Sequence, residues 1–258
     1  MKKAFITGIG GQDGSYLAEY LLELDYEVHG IVRRNSTPEN QDSRISHIRN
    51  NNNLYVYYGD LLDPGGLERL LDEIQPDEIY NIAAQSHVRI SYDIPQFTVQ
   101  TNSIGVLNIL FNHESPRRGS NFVTNKVVKA AAKIKLGLQD KLELGNMDSY
   151  RDWGHSYDYV RAMHLMLQQD KPGDWVVSTM QTHSVREMCE LVFNYLDLDY
   201  KDYVTQNPKF LRPEELPYLK GDSTKIREEL GWDPKYTFKG MMEEMADHWL
   251  NYYKNKAI

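Results

Sequence analysis

Apolar and polar positions follow two periods along the first hundred residues. Ala4 to Thr7 is a short apolar run that stops at a glycine cluster, which predicts a buried strand. Leu17, Ala18, Leu21, Leu22 and Leu24 then recur at helical spacing. Glu27 to Val32 and Leu54 to Tyr58 predict a second and a third strand, the third closed by Gly59-Asp60. Leu67, Leu70, Leu71 and Ile74 predict a helix that ends before Pro76. Glu78 to Ala84 predicts a fourth strand and Val99 to Leu110 a further helix. Strands alternating with helices imply an α/β fold, a doubly wound parallel sheet covered on both faces. The run Asn50 to Asn53 reads as a turn between elements.

The second half carries shorter, mixed elements. Phe122 to Leu136 predicts a basic, alanine-rich helix, Leu142 to Leu144 a strand, Tyr157 to Gln168 a helix and Trp175 to Ser178 a strand. Ser184 with Glu187 has capping-box spacing, opening a helix with the apolar stripe Val185, Met188, Cys189, Val192 and Leu196. Ser223 to Leu230 and Thr237 to Tyr253 predict two more helices. The expected division is a nucleotide-binding domain over 1–110 and a smaller mixed α/β substrate lobe over 111–258, some of whose segments return to the sheet. There is no internal repeat.

Composition narrows the classes. The 258 residues suffice for a large core, and 41% apolar with 26% charged is ordinary for a globular chain. Lys and Arg total 29 against 37 Asp and Glu, a formal charge of −8. Such a balance disfavours nucleic acid or an anionic membrane as partner. One cysteine, Cys189, rules out an internal disulfide and a cysteine-based metal site, so a reducing compartment is expected and no metal. Met1-Lys2-Lys3 precedes too few apolar residues for a secretory leader, and no apolar run approaches a membrane span.

The glycine cluster is the first chemical signal. In Thr7-Gly8-Ile9-Gly10-Gly11-Gln12-Asp13-Gly14, the residues Gly8, Gly11 and Gly14 lie between a predicted strand and a predicted helix. A tight turn, bare backbone against a pyrophosphate and free N–H groups at a helix start make a dinucleotide site of the Rossmann type. The alternative is a plain strand-to-helix turn. After the second strand stand Arg33 and Arg34 instead of an acidic residue, which suits a 2′-phosphate and favours NADP over NAD. Asp60 and Leu61 are placed for the adenine edge. Ile82, Ala83, Ala84, Gln85 and Ser86 lie where small residues let a cofactor cross the sheet.

Phe5 to Ser15, Val28-His29-Gly30 with Arg33-Arg34, Tyr58-Gly59-Asp60-Leu61, Gln75-Pro76-Asp77-Glu78 and Gln85-Ser86-His87-Val88 together resemble the extended short-chain dehydrogenase/reductase superfamily. Phe111 to Gly119 (FNHESPRRG), Leu144 to Asp148 with Arg151 to His155, Phe210 to Glu214 and Gly221 to Lys225 narrow the resemblance to the GDP-mannose 4,6-dehydratase family, over nearly the whole chain. The resemblance implies a cytoplasmic lyase of nucleotide-sugar metabolism and deoxysugar biosynthesis. It would convert GDP-mannose to GDP-4-keto-6-deoxy-mannose with recycled NADP. It further implies that His113, Arg118 and Phe97 meet the cofactor, Phe97 standing where the family usually has tyrosine. Asn112, Lys126, Arg151 and Arg212 would meet the GDP-sugar. The stretch from Arg33 to Arg49, including Asn35 and Ser36, matches a loop that reaches a neighbouring subunit's cofactor, which implies a homo-oligomer, dimer or tetramer.

The family's catalytic block is missing from this sequence. A Ser/Thr-x-Glu after a fifth strand and a Tyr-x-x-x-Lys on the next helix have no counterpart between Leu110 and Phe111. A strand–helix–strand unit needs on the order of 30 residues or more. The Tyr252 to Lys256 spacing follows no fifth strand and reads as a surface coincidence, and Glu114 does not match the family's base position. Either the block exists in a stretch that these residues do not represent, the favoured expectation, or the chain is truly deleted there. The second case leaves an NADP- or nucleotide-sugar-binding protein without turnover. A reductase or epimerase of the same superfamily predicts the same fold but not the FNHESPRRG run.

Overall fold

The computed structural model describes residues 1–33, 44–83, 109–110, 112–211 and 216–256. The chain forms two compact units, Met1–Asn108 with Val160–Asp174, and Ile109–Tyr159 with Trp175–Ile258.

In the first unit, four parallel strands lie in the order β3-β2-β1-β4: β1 (Lys3–Thr7), β2 (Glu27–Val32), β3 (Leu54–Tyr58) and β4 (Glu78–Asn81). Ala4 pairs with Val28 on one side and with Glu78 on the other. Helix α1 (Gln12–Glu23) buries Leu17, Ala18 and Leu21. Helix α2 (Pro64–Ile74) starts at Asp63, whose carboxylate accepts from the Gly66 N–H at 3.1 Å, and has proline in its first turn. It ends at Gln75, in the left-handed region, just before Pro76. Phe5, Ile31, Leu70 and Ile74 pack as one cluster. The order reverses at β1, because β2 and β3 extend to one side and β4 lies on the other. That is the Rossmann-type arrangement, and it opens a crevice at the strand ends beside β1.

Two expected elements differ. The fourth strand stops at Asn81, not Ala84, because the backbone N–H groups of Ile82 and Ala83 both turn to the Thr7 hydroxyl, each at 3.1 Å. The helix expected over Val99 to Leu110 falls largely outside the described residues. Its end, Ile109–Leu110, is instead a strand, β5, so tertiary pairing overrides the helical spacing there.

The second unit is built of short ladders. Strand β6 (Asn112–Glu114) pairs in parallel with β9 (Trp153–His155), and β7 (Leu142–Leu144) with β12 (Val204–Gln206). β5 pairs in parallel with β10 (Val176–Val177). β8 (Tyr150–Arg151) lies between β11 (His183–Ser184) and β13 (Tyr218–Leu219). The core is helical: α3 (Val123–Lys135), α5 (Val185–Tyr195) and α8 (Phe238–Lys256) bring together Val127, Ala131, Met188, Val192, Met241 and Met245. Between α3 and α5 lies α4 (Ser156–Leu167); before α8 come a single helical turn, α6 (Tyr200–Tyr203), and α7 (Thr224–Leu230), which stops at Gly231 with φ +64°. The capping box at Ser184 forms as expected, its hydroxyl accepting from the Glu187 N–H at 3.0 Å. Cys189 is buried in this core, and burial pushes its thiol up to about 12. Trp153 stacks on Phe238, and the Trp232 indole donates to the Asp158 carbonyl at 2.8 Å. Among the described residues no helix is long and apolar enough to cross a membrane.

One buried carboxylate gathers the base of the first unit. Glu78 accepts from Lys2 Nζ, Tyr26 Oη and Gln168 Nε2, each at 3.0 Å, and from Tyr80 Oη at 2.7 Å. Burial alone would raise its pKa; the four donors outweigh burial and hold it below the usual glutamate range. A carboxyl so lowered stabilises the fold fully above the unfolded value of about 4.3, and the contribution is lost as pH falls through the folded value. Acidification below about pH 4.3 should therefore lower the thermal midpoint. Glu78→Gln should cost ~1–3 kcal/mol at neutral pH, by leaving buried donors poorly matched, and should flatten that acid limb. Calorimetric melts of both proteins across the acid range check this; parallel profiles would count against it.

Candidate functional site

In the first unit, the candidate residues of the glycine cluster meet where β1 and β4 end. Gly8 has φ +74°, a left-handed conformation that favours glycine, and its carbonyl accepts from the Gly11 N–H at 2.9 Å. A Cβ on Gly8 would sit 3.0 Å from the Cα of Ala83. A Cβ on Gly14 would lie 2.2 Å from the Gly8 carbonyl oxygen and 2.7 Å from the Ile9 Cα. The α1 N-cap is Gly11, which has no side chain to satisfy the first turn. Ile9 is buried against Gly30, where a Cβ would fall 2.4 Å from its Cδ1. Gln12 and Asp13 open the helix. This is a cradle that side chains would fill, so the residues present fit the pyrophosphate of a dinucleotide.

Sequence reasoning missed what holds the cradle open. The Thr7 hydroxyl donates to Asn81 Oδ1 at 2.7 Å while accepting from Ile82 and Ala83. One side chain thus ties the ends of β1 and β4. Its only sequence signal is a polar residue closing an apolar strand.

Arg33 is exposed directly after β2. Asp60 and Leu61 lie in the turn beyond β3, and the Asp60 carboxylate accepts from the Leu62 N–H at 3.0 Å, ordering the approach to α2. Arg34, Asn35, Ser36, Ala84, Gln85, Ser86, Phe97 and Arg212 lie outside the described residues.

In the second unit, Asn112 and His113 stand on β6, and the His113 ring meets Tyr159 edge-on, 4.9 Å between centroids. The chain then turns at Ser115-Pro116-Arg117-Arg118, closed by Arg118 N–H to the Ser115 carbonyl at 3.0 Å. Glu114, 2% exposed, accepts from Thr124 Oγ1 at 2.5 Å and pairs with Arg118 Nε at 3.1 Å. The Arg118 guanidinium lies 3.4 Å over the Phe122 ring. Asn125, fully buried, donates to the Arg118 carbonyl. Thr124 and Asn125 stand in the first turn of α3, and no sequence spacing points to their pairing with the turn. Lys126 is exposed on the same helix.

The Arg151 to His155 run divides by role. Arg151 is half-buried on β8 and donates to the Tyr150 carbonyl at 2.8 Å. Asp152 is fully buried and accepts from the Thr179 N–H at 2.9 Å, its hydroxyl at 2.6 Å and the Met180 N–H at 3.0 Å. Trp153 belongs to the core, and His155 stacks on Tyr236 at 3.9 Å. Upstream, Gly145 leaves room for the Phe210 carbonyl, 2.4 Å from where a Cβ would sit. Tyr252 and Lys256 lie on the exposed end of α8, the ammonium 4.7 Å from the ring centroid.

Residues 5–110 and 106–245 match, in two segments, the family described as GDP-mannose 4,6 dehydratase. A GDP-mannose 4,6 dehydratase of Arabidopsis thaliana is 39% identical over 334 residues, spanning 100% of this chain and 92% of that protein. The human GDP-mannose 4,6 dehydratase is 37% identical over 336 residues, spanning 94% of this chain and 90% of its own length. Because the Arabidopsis alignment runs over 334 positions and this chain has 258 residues, at least 76 positions of it face no residue here. The two family segments meet at 106–110. Among solved structures, dTDP-glucose 4,6-dehydratase of Bacillus anthracis in complex with NAD superposes with a TM-score of 0.80 at 18% identity, covering 100% of this chain and 98% of that one. The RMD protein of Pseudomonas aeruginosa complexed with NADPH gives 0.76 at 19% identity, covering 98% and 100%.

Gly14→Ala should destabilise the first unit by ~1–3 kcal/mol through overpacking and abolish dinucleotide binding. Gly65→Ala, in the first turn of α2 with only Asp63 within 4.0 Å of the new Cβ, should be neutral or stabilising. Thermal melts and calorimetric titration with NADPH compare the two; equal behaviour would contradict the cradle.

Proposed function

The chain belongs to the GDP-mannose 4,6-dehydratase family, and from that premise we propose that it takes GDP-mannose as substrate and NADP as cofactor, removing water to give GDP-4-keto-6-deoxy-mannose. The observation that carries this reading is the family match along the chain, with the FNHESPRRG run intact inside it. When bound, the nicotinamide supplies the hydride acceptor and donor for the sugar.

The chain's own residues bind and orient. Gly8, Ile9, Gly11, Gln12, Asp13 and Gly14 receive the pyrophosphate on the first turn of α1. Arg33 and Arg34, with Asn35 and Ser36, hold the 2′-phosphate, and Asp60 with Leu61 the adenine edge. Ile82 to Ser86 and Phe97 line the crossing, and His113 and Arg118 meet the nicotinamide half. Asn112, Lys126, Arg151 and Arg212 engage the GDP-sugar, the cations at its pyrophosphate. The protein works in the cytoplasm as a homo-oligomer, in which the stretch from Arg33 to Arg49 reaches a neighbouring subunit's cofactor.

A second reading is favoured by one observation: the family match breaks at 106–110, and at least 76 positions of the Arabidopsis relative face no residue. No Tyr-x-x-x-Lys stands after a fifth strand in this sequence. On that reading the protein binds NADP and the GDP-sugar without turnover.

Two measurements follow. Replacing Arg33 and Arg34 together by Ala should weaken NADP far more than NAD, since a 2′-phosphate loses two charged partners; calorimetric titration with each dinucleotide reads this, and equal losses would sink it. A preparation of verified 30.0 kDa mass, incubated with GDP-mannose and NADP, is then assayed for a product lighter by one water. General acid–base groups each supply ~10²–10⁴-fold, so without them turnover should be undetectable while both ligands bind. Product from the verified chain would establish the dehydratase reading and discard the second.

A further inference from the structure

We propose that Glu114 is a positioning residue: it holds the Arg118 guanidinium in the attitude that receives the nicotinamide half of the cofactor. The inference rests on the reading that Arg118 meets NADP.

Glu114 ends β6, opposite His155 in the ladder, and is 2% exposed. A carboxylate so buried is costly unless it is paired and hydrogen-bonded. It is both. One oxygen, Oε2, accepts from the Thr124 hydroxyl at 2.5 Å and faces Arg118 Nε at 3.1 Å. Thr124 is itself fully buried at the start of α3, so the carboxylate is fixed from a rigid element. The arginine is fixed independently along its backbone. The Ser115–Arg118 turn and the Asn125 amide hold its N–H and its carbonyl. Phe122 supports the flat face of the guanidinium at 3.4 Å.

An arginine carries five donors in a planar fork. Glu114 engages Nε, and the two terminal nitrogens have no partner among the described residues. The contact is an ion pair and not a hydrogen bond: the carboxylate charge lies beside Nε and anchors the inner end of the fork. The side chain is 15% exposed, so the remaining donors are reachable by an acceptor from outside. This is the arrangement of a supporting shell around a binding group, and its ligand class is an acceptor-bearing portion of a dinucleotide: a carboxamide, ribose or phosphate oxygen.

The test is a double-mutant cycle read by isothermal titration with NADPH and, separately, with GDP. Glu114→Gln keeps the shape and an acceptor for Thr124 but removes the charge; it should weaken NADPH about tenfold and leave GDP unchanged. Arg118→Ala should weaken NADPH as well, and adding Glu114→Gln to it should cost nothing more. Additive losses, or equal losses for NADPH and GDP, would mark Glu114 as a brace of the fold and overturn the proposal. If Glu114→Gln does not fold, Thr124→Val takes its place in the cycle, with the same non-additivity expected and additivity again overturning it. Should Arg118→Ala leave NADPH affinity unchanged, the cofactor reading of Arg118 fails and takes this inference with it. Should Arg118→Ala weaken NADPH while Glu114→Gln does not, the inference alone fails.

Discussion

The approach of two backbones at the end of β1 constrains everything around it. A Cβ on Gly8 would sit 3.0 Å from the Ala83 Cα on a left-handed backbone, and a Cβ on Gly14 would fall 2.2 Å from the Gly8 carbonyl oxygen, where no atom fits. The turn is therefore shaped by the lack of atoms, and it needs something else to keep its walls at a fixed distance. Thr7 supplies that with one hydroxyl, donating to Asn81 and accepting from two N–H groups beyond β4. The same hydroxyl ends the fourth strand, because the two amides it captures are lost to the ladder. At the other end of β4, Glu78 collects four donors from separated segments. The sheet is thus fastened at both ends by single polar side chains and filled between them by apolar packing.

Legibility followed the range of the interaction. The glycine turn could be read because glycine's chemistry is local and its spacing is set by one turn of backbone. The Ser184 capping box could be read for the same reason: donor and acceptor are three residues apart. In the second unit Leu142–Leu144 and the strand at Val176–Val177 could be read, but the other short strands and every pairing could not, since β6 and β9 define each other only across about forty residues of chain. Ile109–Leu110 fell on the wrong side for that reason. The pairing of Glu114 with Thr124 bridges ten residues and two elements, so nothing in the sequence joins them.

The sequence runs that carry the family likeness are mixtures of two kinds of residue. In Arg151 to His155, only Arg151 is offered as a ligand group; Asp152 anchors the turn at Thr179–Met180, and Trp153 and His155 pack. In the FNHESPRRG run, Ser115 and Glu114 shape the turn that presents Arg118. A long matching run therefore reports a supporting structure as much as a site.

The distribution of indoles has an optical consequence. The chain has four tryptophans, Trp153, Trp175, Trp232 and Trp249, and all four belong to the second unit. The first unit, with the glycine turn, has tyrosines and phenylalanines but no tryptophan. Emission excited at the red edge of protein absorption therefore watches one unit and is blind to the other. Trp249 is a special reporter within it, because the Lys129 ammonium lies 4.1 Å from its ring centroid and biases the indole's excited-state dipole. An unfolding curve followed by indole emission would describe the second unit's melting, whatever the nucleotide-binding half was doing at the same temperature.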